Sequence, residues 1–357
     1  MSNFQTMAEY RATSEVDATI TGGTQMPFLT RAWYNKVFLS VADPKLVHDK
    51  FGMPTTLKKN TGEQVLWRRW PRLAPNLVPL TEGITPAGKK LAYENVIGTV
   101  RWYGDWVGIT DVVSFTHVDP ILSIATQKLA EQAAETADII TRDIINAGTS
   151  FLRVAAGGGT VLTGRVTVGG VITATQIETA VTMLEGADAK YFHGTMAAST
   201  KVATQPIGPA FVAICHPHVA KDFRALTGFL NREEYSGGSV AYPSEIGKIG
   251  NIRVLTSTLS KIFPDSGVAT TNGPTPASVW RATSATDTAA DVYSVLVLAK
   301  EAYGVVKLKG SSATYYNPAG GSADPLHQRA TAGWKFCKGA TILNDNWMVR
   351  IECLASW

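Results

Sequence analysis

The best candidate for metal ligation in the chain is His216-Pro217-His218 with Asp222. His218 and Asp222 stand four residues apart and would share one helical face, with a second imidazole at His216, so a divalent ion on His216, His218 and Asp222 would make a metal-dependent hydrolase. No further strong ligand lies nearby. A strand ending at His216 and a helix beginning after Pro217 account for the same residues without a metal.

Other patterns come close to chemistry and stop short of it. Gly159-Thr-Val-Leu-Thr-Gly164 has phosphate-loop spacing, but Arg165 and Val166 stand where the phosphate lysine and the magnesium-binding hydroxyl belong. Gly237-Gly-Ser239-Val-Ala241 resembles a nucleophile elbow that lacks its last glycine and sits among loop formers. His117 and His327 have no Ser or Cys nucleophile in a recognisable setting. Glu131, Glu135 and Asp138 lack the Glu-x-x-His partners of a carboxylate metal site and read as a solvated or interfacial stripe. No catalytic, cofactor or metal residue is therefore assigned, and the chain does not read as an enzyme. The remaining group is Arg68, Arg69, Arg72, Lys89 and Lys90, interleaved with Trp67 and Trp70. These residues could stack on single-stranded nucleic acid. Because they flank a proline-rich tip rather than line a sheet face, contact with carboxylates on an adjacent copy is the favoured reading, with Glu82, Lys89 and Lys90 meeting charges on another surface.

The elements that carry these residues can be outlined. Residues 1–54 read as an N-terminal arm, with a short helix over Thr30 to His48 closed by Asp43-Pro44. Residues 55–110 read as an extended hairpin loop. Val65, Trp67 and Arg69 alternate with Leu66, Arg68 and Trp70 on the way up, and neither face is plainly solvent. Pro71, Pro75, Pro79, Gly83, Pro86 and Gly88 fill the tip, and Leu91 to Thr110 returns. Within 111–170, Asp119-Pro120 starts a spine helix running to Ala147 with Gly148 as its cap. Ile121, Ala125, Leu129, Ala133, Ala137, Ile140 and Ile144 mark its apolar face; Gln127, Glu131, Glu135, Asp138, Arg142 and Asn146 mark its polar one. Gly157–Gly159 and Gly169-Gly170 bracket a hairpin. Residues 171–290 read as a mixed α/β domain: a helix opened by a Thr175-Gln-Ile-Glu178 capping box, strands at Phe211–Cys215 and Ile252–Thr256, and a short helix over His218–Leu226. In 291–357, Tyr293–Leu308, Ala332–Lys338 and Trp347–Leu354 alternate as closing strands, the last two joined through Asn344-Asp345-Asn346.

Composition bounds the possibilities. The 357 residues suffice for a large core, yet only 17% are charged, below the roughly 25% usual in soluble domains, which points to an exterior covered by something else. A net charge of +4 and the lack of a five-residue basic block do not describe a nucleic-acid reader. Three scattered cysteines argue against a disulfide framework and for a reducing cytoplasm. No signal-peptide pattern opens the sequence, and no apolar run would span a bilayer. A ribbon whose tip can build no core of its own needs a neighbour to lie on, as in a lattice subunit.

The order of arm, long loop, spine helix, α/β insert and closing strands resembles the major capsid proteins of tailed bacteriophages, an α+β fold termed HK-ninety-seven-like. Leu80-Thr-Glu-Gly-Ile-Thr-Pro-Ala-Gly-Lys-Lys-Leu91, Tyr103-Gly-Asp105, Asp324-Pro-Leu-His-Gln-Arg329 and Leu343-Asn-Asp-Asn-Trp-Met-Val-Arg350 look like the coat-protein family typified by phage N-four. The resemblance implies a peripheral domain holding the spine helix and an axial domain from 171–290. The closing strands are shared between the two. It implies self-assembly into hexamers and pentamers of an icosahedral head, built in the host bacterial cytoplasm around double-stranded DNA. Implied partners are a portal protein, packaged DNA without sequence specificity and, as an optional component, a decoration protein; none is a membrane. Because the hairpin begins near residue 55, a separate scaffolding protein is expected. Part of the wider fold crosslinks lysine to asparagine, and Lys89 and Lys90 lie on the appropriate loop, but no partner is identified and no crosslink is expected. Arg68, Arg69, Glu82, Lys89 and Lys90 are the expected inter-subunit contacts. An encapsulin-type nanocompartment shell, with enzyme cargo instead of DNA, is the alternative.

Overall fold

The computed structural model describes residues 47–60, 62–80, 82–83, 85, 88–116, 121–161, 164–192, 208–234, 242, 244–268, 289–310, 312–317, 326 and 328–356. The arm and its helix before residue 47, the Asp119-Pro120 helix start, the Gly237–Ala241 motif, His117, His327 and half of the 324–329 segment lie outside them.

Three sheets organise the chain. A two-stranded ribbon pairs β2 (Gln64–Arg69) with β3 (Glu94–Thr99). A five-stranded sheet is built on β15 (Arg329–Ile342), fourteen residues long. One edge of β15 pairs along its first ten residues with β4 (Arg101–Thr110). The other pairs with β14 (Ala313–Asn317) and then β13 (Tyr303–Leu308), outside which lies β1 (Met53–Leu57). The nine-stranded sheet comprises β5 (Phe151–Val154), β6 (Thr160–Val161), β7 (Phe211–Cys215), β8 (Phe229–Asn231), β9 (Glu245–Ile249), β10 (Ile252–Thr256), β11 (Ile262–Phe263), β12 (Val292–Leu298) and β16 (Met348–Cys353). Its order is β6-β5-β16-β12-β7-β10-β9-β8, with β11 beside β12.

A short helix α1 (Asp111–Thr116) precedes the spine α2 (Ile121–Ile145), which at 25 residues is about 38 Å long. Leu129 and Ala133 of α2 pack on Ala332 and Trp334 of β15. Helices α3 (Ala174–Gly186) and α4 (Pro217–Ala225) cover one face of the nine-stranded sheet, where Ile177, Leu184, Val219 and Phe223 meet Phe211, Ala213, Tyr293 and Val295. Val212, Ile214, Leu296 and Leu298, the alternate positions, face a second core holding Val47, Phe51, Ile145 and Tyr303. Burial on both faces is why β7 is apolar throughout, and β12 apolar at every position but Ser294, rather than alternating.

Several sequence expectations need correction. The return limb is two strands, not one: β3 stays in the ribbon, while β4 continues past Val100 into the five-stranded sheet. The hairpin at 151–161 turns at Gly157–Gly159 itself, which adopts positive φ at Gly157 and Gly158, instead of lying between the two glycine groups. The capping box of α3 is Thr173 with Gln176, two residues earlier than expected; the Thr173 amide donates to Gln176 Oε1 at 3.0 Å. β15 and β16 are joined through 344–346 but belong to different sheets. Asp138, read as part of a solvated or interfacial stripe, is fully buried.

Candidate assembly surface

The ribbon's geometry follows from strand alternation. Val65 and Trp67 turn inward and pack against Val100, Val306 and Cys337. Gly98 and Gly304 make room for the Trp67 ring, since a Cβ at either would lie within 2.4 Å and 2.7 Å of it respectively. Leu66, Arg68 and Trp70 turn outward and are exposed. One face of the ribbon is therefore completed by its own chain, against the expectation that neither was plainly solvent.

Beyond Arg69 the described residues of 70–93 form a strap without regular hydrogen-bonded structure, and every one of them is exposed. Its apolar side chains stand in water: Leu77 is 87% exposed, Leu80 75% and Val78 74%. Arg68 lies 4.5 Å above the Tyr93 ring, and its Nε donates to Asn95 Oδ1 at 3.4 Å. Arg69 pairs with Glu94 across the two strands. Lys89 Nζ donates to the Ala74 carbonyl, tying one limb of the strap to the other. Glu82 and Lys90 are exposed. Arg72, outside the expected contact set, reaches Asp188 at 3.2 Å, just after α3. Arg68, Arg69 and Lys89 thus brace the strap internally, and their contacts within the chain do not bring the five residues to one point.

The imidazoles and Asp222 do not converge on a metal. His216 caps α4, its Nδ1 accepting from the His218 amide at 3.2 Å. His218 Nδ1 lies 2.9 Å from Tyr293 Oη. Asp222 turns to the final strand region, accepting from the Ser356 amide at 3.0 Å. Burial, and secondarily the neighbouring His218, pushes His216 down to about 4; burial also lowers His218, against an opposing pull from Asp291. Among the described residues no group of three His, Cys, Asp or Glu could hold a metal ion. Arg165 is likewise structural: it pairs with Glu352 at 3.0 Å and lies over the Phe263 ring at 3.6 Å.

Two buried polar clusters escaped the sequence reading. At one, Asp138 accepts from the His48 amide at 2.8 Å and lies 2.6 Å from His48 Nδ1. Beside it Asp49 meets Lys338 Nζ at 2.5 Å and Thr141 Oγ1 at 2.6 Å. Burial lowers the Lys338 pKa while Asp49 opposes it. This cluster fastens residues 48–49 to α2 and β15. At the other, Glu352 is bound by Arg153 at 2.7 Å, Arg350 at 2.8 Å and Arg165. Burial works to raise the Glu352 pKa, yet hydrogen bonds from Arg165 and Arg153 and the Arg350 charge hold it below the ordinary carboxylate value. Arg350 also donates to the Asn146 and Gly148 carbonyls, closing the C-terminus of α2. Charged residues embedded in apolar strands were the available signal, but their partners are up to 289 residues away.

An exposed ribbon on a two-sheet body, with the chemistry-bearing side chains spent on internal bracing, defines a structural subunit of a larger assembly. A family model described as phage capsid protein matches residues 93–308, and the chain belongs to that family. Its fold is the tailed-phage major capsid fold. The capsid of Ralstonia phage GP4 superimposes with TM-score 0.58 at 12% identity, covering 87% of this chain and 88% of that one. The head of Helicobacter pylori bacteriophage KHP40 gives 0.57 at 11%, covering 95% and 96%. The capsid of cyanophage P-SCSP1u gives 0.55 at 12%, covering 95% and 94%. No curated protein sequence matches the chain. The protein is a major capsid subunit, and its place is the virion shell.

Proposed function

We propose that copies of this chain form the hexamers and pentamers of an icosahedral head around double-stranded DNA, with each strap laid across an adjacent copy. The strap supports this reading: Leu77, Val78 and Leu80, all at least 74% exposed, form an apolar stretch that the chain's own body leaves uncovered. Arg68, Arg69, Glu82, Lys89 and Lys90 set the contact by charge and shape, and each contact set buries on the order of 1,000 Å² or more. The subunit catalyses no bond-breaking step. DNA is enclosed without being read, in keeping with a net charge of only +4. A separate scaffolding protein guides assembly and a portal occupies one vertex.

Electron microscopy of the expressed protein tests the proposal. Shells, tubes or capsomers are expected; a protein that stays monomeric at high concentration, with the strap folded on its own body, overturns it. Nuclease-protected DNA recovered from particles separates the phage head from a cargo-holding nanocompartment.

A further inference from the structure

Glu352 answers three guanidiniums at once, and the way it is shared leaves a place for a further anion. The pairing of β5 with β16 sets Arg350 beside Phe151 and Glu352 beside Arg153, and strand alternation turns all four toward one face of the nine-stranded sheet. Arg165 joins them from the short helical turn Arg165–Thr167. The Glu352 side chain is wholly inaccessible, whereas those of Arg350, Arg153 and Arg165 are 7%, 12% and 33% exposed, so the cluster opens to solvent on the Arg165 side.

The charges around Glu352 do not balance. One carboxylate faces three guanidiniums, and the C-terminus of α2, whose carbonyls accept from Arg350, adds about half a negative charge, so these partners leave roughly one and a half positive charges over. Repulsion between the like charges is visible at Arg350. Burial lowers its pKa, Glu352 opposes this, and the charges of Arg165 and Arg153 lower it further. A second excess lies close by, where Asp143 is shared by Arg142 at 2.9 Å and Lys261 at 3.1 Å. Asn146 links the two groups, since it donates to the Arg142 carbonyl and accepts from Ser294, the residue opposite Glu352 on β12.

Arg165 presents an open edge. Its Nε donates to Glu352 Oε1 at 3.0 Å and its Nη2 lies 3.0 Å from the same oxygen, while the Phe263 ring, 3.6 Å away, covers one face. These contacts fix the guanidinium plane. Nη1, with two of the five N–H donors of a guanidinium, meets no partner among the described residues. A preset plane with donors left on its outer edge is the arrangement by which arginine takes two oxygens of an oxyanion. Phosphate matches the excess best, because it carries about 1.5–2 negative charges near neutral pH, against one for a carboxylate.

We infer that Arg165, with Arg153 behind it, binds a phosphate group that neutralises the guanidinium cluster and completes the joint between α2 and the β5–β6 edge. The ion acts as a structural ligand of the single chain, whether or not copies assemble. Equilibrium dialysis of the purified full-length chain against radiolabelled inorganic phosphate, at ionic strength fixed with sodium chloride, is expected to show saturable uptake of a single phosphate per chain. Absence of saturable uptake overturns the inference. Arg165→Gln, with its fold checked by circular dichroism, is expected to weaken uptake about tenfold or more; undiminished uptake places the ion elsewhere and overturns the inference. Arg165→Lys, which keeps the charge and loses the fork, takes its place should the glutamine variant fail to fold. Phosphate at about a hundredfold excess over its dissociation constant is expected to raise the Tm of the parent chain by about 3–8 °C relative to chloride at the same ionic strength, and that of the variant by far less. An equal rise in both is the general stabilising effect of phosphate as a salt, and overturns the inference. Acetate that displaces phosphate at equal concentration means that the site takes a carboxylate, such as one from a neighbouring copy, and overturns it as well. A short DNA duplex separates the two sources of phosphate: displacement of the labelled ion assigns the site to a nucleic-acid backbone, retention assigns it to the free ion, and either result upholds the inference.

Discussion

Glu352 shows how much a single side chain can hold. It is fully buried among three guanidiniums, and two of these, on Arg153 and Arg350, are largely buried with it. Glu352→Gln keeps the shape and removes the charge that neutralises them, so denaturant unfolding is expected to report a loss of about 3 kcal/mol or more. Arg69→Ala, breaking an ion pair whose members are 46% and 55% exposed, is expected to change stability by less than about 1 kcal/mol. His216 makes a different prediction. Its neutral ring caps α4, and its folded pKa, about 4, lies below the ordinary 6.5. The unfolded chain therefore binds the extra proton first. The stability this group contributes is complete above pH 6.5 and is lost as pH falls toward about 4, on the order of 1–2 kcal/mol. His216→Asn, which puts an amide oxygen in place of the capping nitrogen but cannot titrate, is expected to flatten that part of the thermal stability–pH profile.

At the scale of elements, α3 separates what was written locally from what was not. Gln176 is buried, accepts from the Thr173 amide and donates to the Gly158 carbonyl. Gln176→Ala is therefore expected to lower stability by about 1–3 kcal/mol in chemical denaturation. Glu178→Ala, at the position the Thr175 capping pattern singled out, is exposed and should stay within about 0.5 kcal/mol. Both threonines are followed three residues later by a Gln or Glu, so the pattern alone could not choose; the contact with the Gly157–Gly159 turn does. The spine helix was legible for the same reason that it is long: apolar spacing sustained over many turns. Its buried face was less so. Thr126, Asp138 and Thr141 are buried while Ile124 is 46% exposed; Asp138 and Thr141 face the cluster of His48, Asp49 and Lys338, whose members lie far apart in sequence. Trp67 was visible as an aromatic on an alternating strand, but its seat depends on Gly98 and Gly304, the latter more than 200 residues away. The strap's exposure followed from its prolines. The guanidinium cluster went unnoticed, since Arg153, Arg165 and Arg350 become neighbours only through the β5-β16 register and the reach of Arg165 to Glu352.

For the whole molecule, the body is two-sided and braced by its own buried contacts while the strap is open, so the surfaces that join copies are separable from those that hold a copy together. Reversing both Lys89 and Lys90 to glutamate is expected to reduce particle yield at least tenfold by sedimentation or electron microscopy. The circular dichroism and Tm of the isolated subunit should remain close to the parent's, since both lysines are exposed. Normal shells from this variant would remove charge from the account of the contact. Because Lys89 also ties the strap to the Ala74 carbonyl, Lys90→Glu alone separates contact with a neighbour from bracing within the strap.

The position of β16 has a consequence for when a subunit becomes usable. It lies between β5 and β12 in the nine-stranded sheet, so every strand made earlier waits for residues 348–353 before that sheet can close. A polypeptide released before this point keeps an open seam and lacks the Arg350 and Glu352 that lock the spine helix to its sheet. Interrupted products are thereby barred from a lattice in which one defective tile would compromise the whole container.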